Sequence, residues 1–251
     1  MKKALITGAS SGIGRSMSFS LASMGHELIL VARRLQRLEE LKKELLSLYP
    51  HLKIQLIDSD VNSPDLGKRI AEASNEKVDV LINNAGLALG KDFVQDSQWS
   101  DLEMMIQTNI MANFKLVHLV LPWMLKHGEG DIINLCSVAG HHSYQGGAVY
   151  CATKHAVHSF TQALREETCG KNIRIMQISP GMVETEFSLT RFKGDHATAE
   201  NVYAGMKALS ANDIADMMQF MLDRPRHVVI DEIITMPMAQ GSPTKVVRSN
   251  P

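Results

Sequence analysis

Short runs of Val, Ile and Leu alternate along the chain with longer stretches whose apolar positions recur every three or four residues. The first run, Lys3–Ile6, is stopped by Gly8; a helix is predicted over Ile13–Met24, with Gly25 just past its end. Glu27–Ala32 (ELILVA) reads as a second strand. From Arg34 to Tyr49, Leu35, Leu38, Leu41, Leu45 and Leu48 fall at helical spacing. Arg37, Glu39, Glu40, Lys42, Lys43 and Glu44 fill the opposite side, and Pro50 ends the segment. The alternation continues through strand Lys53–Asp58, helix Pro64–Asn75, strand Val78–Asn84 and a long helix Leu102–Lys126. Strand Asp131–Ser137, helix Tyr150–Cys169, strand Ile173–Ser179, helix Ile214–Leu222 and strand Val228–Thr235 complete it.

Strands buried on both faces read as unbroken aliphatic runs, and these do. Repeated strand–helix units predict an α/β fold: one doubly wound parallel sheet of the Rossmann type, with helices on both faces and ligand at the strands' carboxyl ends. No internal repeat, low-complexity tract or linker divides the 251 residues, so a single domain, 1–251, is expected. The tail, about 237–251, is polar and leaves two fates open, packing on a partner subunit or fraying.

Composition narrows the function classes. A formal net charge of −1 without a basic stripe argues against nucleic-acid or membrane-surface partners. The longest oily stretch, Leu116–Leu125, contains His118 and Pro122 and is too short to span a bilayer. Met1-Lys2-Lys3 runs directly into the first strand, where no signal sequence is expected. Cys136, Cys151 and Cys169 are an odd set without metal-type pairing, which suits a reducing cytoplasm.

Between the first strand and helix lies Thr7-Gly8-Ala9-Ser10-Ser11-Gly12-Ile13-Gly14. Glycines there permit a tight turn and close backbone approach to a pyrophosphate at the positive helix end, so the turn is a candidate dinucleotide site. The second strand ends in Ala32 followed by Arg33 and Arg34, where an acidic residue would instead accept hydrogen bonds from a ribose. Two guanidinium groups able to fork onto phosphate oxygens favour NADP(H). Farther along, Tyr150 and Lys154 are neighbours on one helix face, with Ser137 upstream. A free Tyr titrates near ~10, too high for a base at neutral pH. A nearby ammonium and a positively charged nicotinamide ring would favour phenolate, while Ser137 would donate to a substrate oxygen. The ordered set predicts a nicotinamide-dependent oxidoreductase.

These segments resemble the short-chain dehydrogenase/reductase family over essentially the full length. The resemblance rests on TGASSGIG (Thr7–Gly14), NNAG (Asn83–Gly86), Asn109 within QTNIMANF, Ser137, YCATK and PGMVET (Pro180–Thr185). It implies that Tyr150 is the proton donor/acceptor and that Lys154 holds the nicotinamide ribose and lowers the Tyr pKa. It also implies that Ser137 orients the substrate carbonyl and Asn109 supports a relay water. Gly8, Ser10, Ser11, Gly12, Ile13 and Gly14 would bind the cofactor. Asp60 and Val61 would flank its adenine; Asp58 is a rival to Asp60, set aside because the family pattern places Asp directly before Val. Asn84, Ala85 and Gly86 would line its cleft, and Pro180, Gly181, Val183 and Thr185 would meet its nicotinamide end.

A narrower likeness, in NNAGLALG, YQGGAVYCATK and TEFSLTRFKGD, is to NADP-dependent 3-hydroxy acid dehydrogenases of bacteria and yeast. It implies small 3-hydroxy acids or their semialdehydes as substrates, with other carbonyl substrates as the first alternative and a non-catalytic dinucleotide-binding regulator as the second. A mobile substrate loop is expected over about 185–207, where Arg191 or Lys193 would bind a carboxylate. The family implies a homotetramer paired through the helices Leu102–Lys126 and Tyr150–Cys169. For His141, His142, His155 and His158 no carboxylate or Cys completes a convincing ligand set, and the chemistry needs no metal, so none is expected.

Overall fold

The computed structural model describes residues 1–249. Among them, seven strands form one sheet: β1 (Lys3–Thr7), β2 (Glu27–Ala32), β3 (Ile54–Asp58), β4 (Val80–Asn83), β5 (Gly130–Leu135), β6 (Ile173–Pro180) and β7 (Glu232–Thr235). Their order is β3-β2-β1-β4-β5-β6-β7, and every pairing is parallel. The chain winds outward from β1 to β3 and then restarts on the other side of β1 with β4, which opens a crevice at the carboxyl ends of those two strands.

Period-2 alternation sorts side chains to two cores. Ala4 and Ile6 of β1 join Met17 and Leu21 of α1 (Gly12–Ser23), Leu38, Leu41 and Leu45 of α2 (Leu35–Leu48), and Ile214 and Met218 of α9 (Ala211–Leu222). Leu5 faces the other way, toward Ile70 of α3 (Leu66–Ser74), Val117 and Val120 of α5 (Ala112–His127), and Leu164 of α6 (Ala148–Thr168). Each such Val, Leu, Ile or Met side chain contributes about 1.5–3 kcal/mol by leaving water. Among the described residues no helix is long and apolar enough to cross a membrane.

The long helix expected over Leu102–Lys126 is instead α4 (Trp99–Ile106), a π-turn (Gln107–Met111) and α5. Apolar periodicity persists through a single wide turn, so the pattern hid the interruption. The last strand begins at Glu232 rather than Val228, because Val228 N–H closes a turn onto Pro225 O. Segment 185–207 carries two short helices, α7 (Glu186–Arg191) and α8 (His196–Asn201). The tail folds onto its own chain: Gln240 is buried and accepts from Met182 N at 2.8 Å, and Arg248 Nη2 donates to Val202 O at 2.9 Å. Residues 250–251 of that tail lie outside the described residues.

Candidate active site

The loops that follow β1, β2, β3, β4, β5 and β6 enclose a cleft of about 1220 Å³. Its first wall is the glycine turn. Gly8 has φ +66°, and a Cβ there would lie 2.8 Å from Asn84 Nδ2. At Gly14 a Cβ would meet Gly8 O and Asn84 Nδ2, both at 2.4 Å. Asn84 Nδ2 donates to Thr7 O at 2.8 Å, while Thr7 Oγ1 accepts from Asn84 N and Ala85 N at 3.2 and 3.1 Å. The β1 and β4 turns are therefore locked together by backbone approach that any side chain would block. Ser11, the N-cap of α1, makes no side-chain capping bond, and the first turn holds no acid. A bare, positive helix end facing a glycine cradle fits a pyrophosphate.

Gly8, Ser10, Ser11, Gly12, Ile13, Arg33, Arg34, Asp60, Val61, Asn84, Ala85, Gly86, Pro180, Gly181, Val183 and Thr185 all line this cleft. Gly14 does not: it stands behind the wall, where its missing side chain lets the turn close. Asp58 is drawn off the cleft by Arg69, whose Nη2 donates to its carboxylate at 2.7 Å, whereas Asp60 faces Arg33 at 3.8 Å.

At the far end Ser137, Tyr150, Lys154 and Arg191 converge on the same cleft. Ser137 caps a short 3₁₀ turn (Val138–Gly140), accepting from Ala139 N at 3.1 Å and donating to Pro180 O at 3.4 Å. Lys154 is buried; its Nζ donates to Leu135 O at 3.0 Å and lies 5.9 Å from the centre of the Tyr150 ring. Burial lowers its pKa. Burial also pushes the Tyr150 phenol up, as does the Tyr144 phenol beside it, while the Ser137 hydroxyl and the Arg191 guanidinium pull down. In the protein alone the net shift is upward, and Arg191 is the cation among its leading causes that opposes it.

Asn109 sits in the π-turn, buried, and its side chain is consumed by structure. Its Oδ1 accepts from Leu87 N at 2.8 Å, and its Nδ2 donates to Leu87 O at 2.8 Å and Thr153 Oγ1 at 3.1 Å. Thr108 lines the cleft wall; Asn109 does not. Arg191 Nε donates to Gly90 O at 3.0 Å and Nη1 to Tyr144 Oη at 3.1 Å, with its guanidinium carbon 5.8 Å from the Tyr150 ring centre. Among the described residues its Nη2 donates to no protein acceptor. Lys193 pairs with Asp101 at 2.6 Å and is committed elsewhere.

Sequence reasoning missed Tyr144, Glu186 and Gln240, all on the cleft wall. Tyr144 and Glu186 stand inside the quoted segments YQGGAVYCATK and TEFSLTRFKGD, which was the available signal; Gln240, in the polar tail, had none. The histidines also gain a partner from far along the chain. His141 Nε2 lies 2.7 Å from Glu232 Oε1, and His158 Nδ1 3.7 Å from Glu232 Oε2, so the expectation that no carboxylate completes the set is corrected. Glu232 Oε1 also accepts from Gln177 Nε2 at 2.7 Å and Ser179 Oγ at 2.5 Å. With those donors the cluster is a hydrogen-bonded buttress joining the turn after Ser137, α6 and β7.

Comparison with known proteins agrees with this geometry. The short chain dehydrogenase family pattern matches residues 2–195. The chain is 46% identical to an NADP-dependent 3-hydroxy acid dehydrogenase of Schizosaccharomyces pombe, covering 98% of this chain and 96% of that one. It is 39% identical to a sulfoacetaldehyde reductase of Chromohalobacter salexigens, covering 94% of each. A closed form of serine dehydrogenase complexed with NADP+ superposes with a TM-score of 0.89 at 35% identity, covering 98% of this chain and 99% of that one. The protein belongs to the short-chain dehydrogenase family.

Proposed function

We propose that this protein is an NADP(H)-dependent oxidoreductase that interconverts small 3-hydroxy acids and their semialdehydes. The observation that carries the reading is the convergence of the Tyr150 phenol, the Ser137 hydroxyl and the half-engaged Arg191 guanidinium at one end of a cleft whose other end is the glycine cradle. Arg33 and Arg34, standing where a ribose-binding acid would exclude a 2′-phosphate, support NADP(H) over NAD(H).

The bound cofactor supplies hydride exchange at the nicotinamide. The chain's own residues do the rest. Ser137 donates to the substrate oxygen, Tyr150 gives or takes its proton, and Lys154 and Gly86 line the ribose position. Asn109 acts as a positioning residue, pinning Leu87 and hence the β4 turn. Burial and the neighbouring Tyr144 raise the phenol, and the Ser137 hydroxyl and the Arg191 guanidinium draw it back toward the working range. Arg191 offers its free Nη2 edge to the substrate's carboxylate. The same edge accepts a sulfonate, which makes sulfoacetaldehyde the favoured second reading, given the name of the Chromohalobacter salexigens relative.

Segment 185–207 serves as the substrate lid of a single catalytic domain. The protein works as a cytoplasmic homotetramer; three unpaired cysteines and exposed Trp99, Met104, Ile106 and Met111 along α4 and the π-turn support this. The test is a spectrophotometric screen of NADP(+) reduction with serine, 3-hydroxypropionate, 3-hydroxybutyrate and simple secondary alcohols. A kcat/KM for one of the acids at least tenfold above every neutral alcohol is expected. Turnover confined to neutral alcohols would refute the acid assignment, and no turnover on any would revive the regulator alternative.

A further inference from the structure

The segment after β2 and the first residue of α7 meet across the mouth of the cleft. Arg34 Nη1 donates to Glu186 Oε2 at 2.9 Å, and Arg37 Nη1 donates to Glu186 Oε1 at 3.1 Å. Arg34 Nη2 turns to Ser11 Oγ at 2.9 Å and Ser10 Oγ at 3.4 Å. One carboxylate from the lid thus holds two guanidinium groups that precede it by 152 and 149 residues. Partial burial works to raise the Glu186 carboxyl, but Arg34 and Arg37 outweigh it and hold the group below its usual range. Arg33 meanwhile points toward Asp60. The cations at the end of β2 are therefore neutralised from within.

We propose that Glu186 is an internal counter-anion for Arg34, the guanidinium that reads an adenosine 2′-phosphate, and that it sets NADP(H) affinity and ties cofactor exchange to release of α7. The inference rests on the reading of Arg34 as a phosphate-recognising residue. A carboxylate carries one negative charge, whereas a phosphomonoester carries nearly two and three acceptor oxygens. The phosphate is therefore the stronger partner for the Arg34 fork. Arg34, Arg37 and Glu186 have side chains 45%, 49% and 39% exposed, and exposed pairs of this kind are weak enough to exchange. When 2′-phosphate takes Arg34, Glu186 loses a partner and faces a like charge, which loosens the first turn of α7. NAD(H), lacking that phosphate, leaves the pair in place. Linkage makes the effect reciprocal: whatever frees Glu186 tightens NADP(H).

The test compares Kd values of NADPH and NADH for wild type, Glu186→Gln and Arg34→Ala by cofactor fluorescence, with adenosine 2′,5′-bisphosphate as a probe lacking the nicotinamide. Glutamine keeps the shape of the exposed Glu186, and equal thermal midpoints establish that the fold is unchanged. At low ionic strength, Glu186→Gln is expected to bind NADPH and the bisphosphate about two- to tenfold more tightly, with NADH within twofold. The gain should shrink as salt is raised, because the charges are exposed. An unchanged or weaker NADPH Kd, or an equal gain for both cofactors, overturns the proposal. Arg34→Ala separates the two levels: if it erases NADPH preference while Glu186→Gln has no effect, only the counter-anion role fails. If Arg34→Ala keeps full NADPH preference, the phosphate reading of Arg34 fails as well.

Discussion

The two ends of the cleft are built by different means. The glycine cradle is closely approaching backbone stitched by short polar side chains: Gly8 and Gly14 admit no Cβ, and the Thr7 hydroxyl and the Asn84 amide bond the two turns directly. The end carrying α7 and α8, the proposed lid, is side chain against surface: Glu186 on Arg34 and Arg37, Arg191 on Tyr144 and Gly90, Tyr203 Oη donating to Val183 O at 2.9 Å. Strand ends have no freedom to re-pair, whereas exposed ion pairs are worth about 0–1 kcal/mol each and can trade partners. On the proposed function, the contrast separates holding a cofactor from admitting and reading a substrate.

Changes at the two ends should differ in kind as well as size. Lys154→Ala sits where the ends meet and should lower kcat/KM by about 10²–10⁴; a loss under tenfold would detach it from the chemistry. Gly14→Ala forces a Cβ onto Gly8 O and should cost about 1–3 kcal/mol. At about 2–4 °C per kcal/mol, its thermal midpoint should fall by roughly 2–12 °C. Gly67→Ala, whose nearest neighbour is Leu119 Cδ2 at 3.7 Å, should not fall, and equal midpoints for the two would remove the cradle argument. Arg191→Leu at the lid end should raise KM for a 3-hydroxy acid about tenfold, the scale of a lost charge-assisted bond, and leave neutral alcohols nearly unchanged.

The smallest effect concerns the buttress beneath Ser137. Burial works to raise the Glu232 carboxyl, but hydrogen bonds from Ser179, Gln177 and His141 outweigh it, and the net shift is below the ordinary 4.5. Burial likewise lowers His158 from 6.5. Both groups take up protons more readily when unfolded, so their stabilisation is whole above the unfolded values and is lost as pH falls through the folded ones. Glu232→Gln should therefore lower the thermal midpoint at pH 7, with a gap to wild type that narrows as pH falls below 4.5. A gap that does not narrow in acid below 4.5 would show that Glu232 acts by packing alone.

The sheet and the cradle were legible because each strand is an unbroken aliphatic run and each turn carries glycine or asparagine where backbones touch. Periodicity could not reveal the π-turn, since an added residue leaves Met105, Ala112 and Leu116 still facing inward. Nor could it show that the polar tail returns to the cleft, because Gln240 reaches Met182 only once β6 and β7 are paired. Glu232 was invisible as a partner of His141 and His158 for the same reason: 91 residues separate it from His141, and only strand pairing closes that distance. Arg191 was legible as a charge in the lid, but its place over the Tyr150 ring depends on Tyr144 and Gly90.

The most direct test of the account is NADP(+) reduction with 3-hydroxypropionate by wild type and Tyr150→Phe, measured alongside NADPH binding. Phenylalanine keeps the ring that packs 5.9 Å from Phe187 and removes only the proton-carrying oxygen. The predicted result is a kcat lower by about 10²–10⁴ with the NADPH Kd within twofold. A variant that turns over within tenfold of wild type would contradict the assignment of Tyr150 as the acid/base.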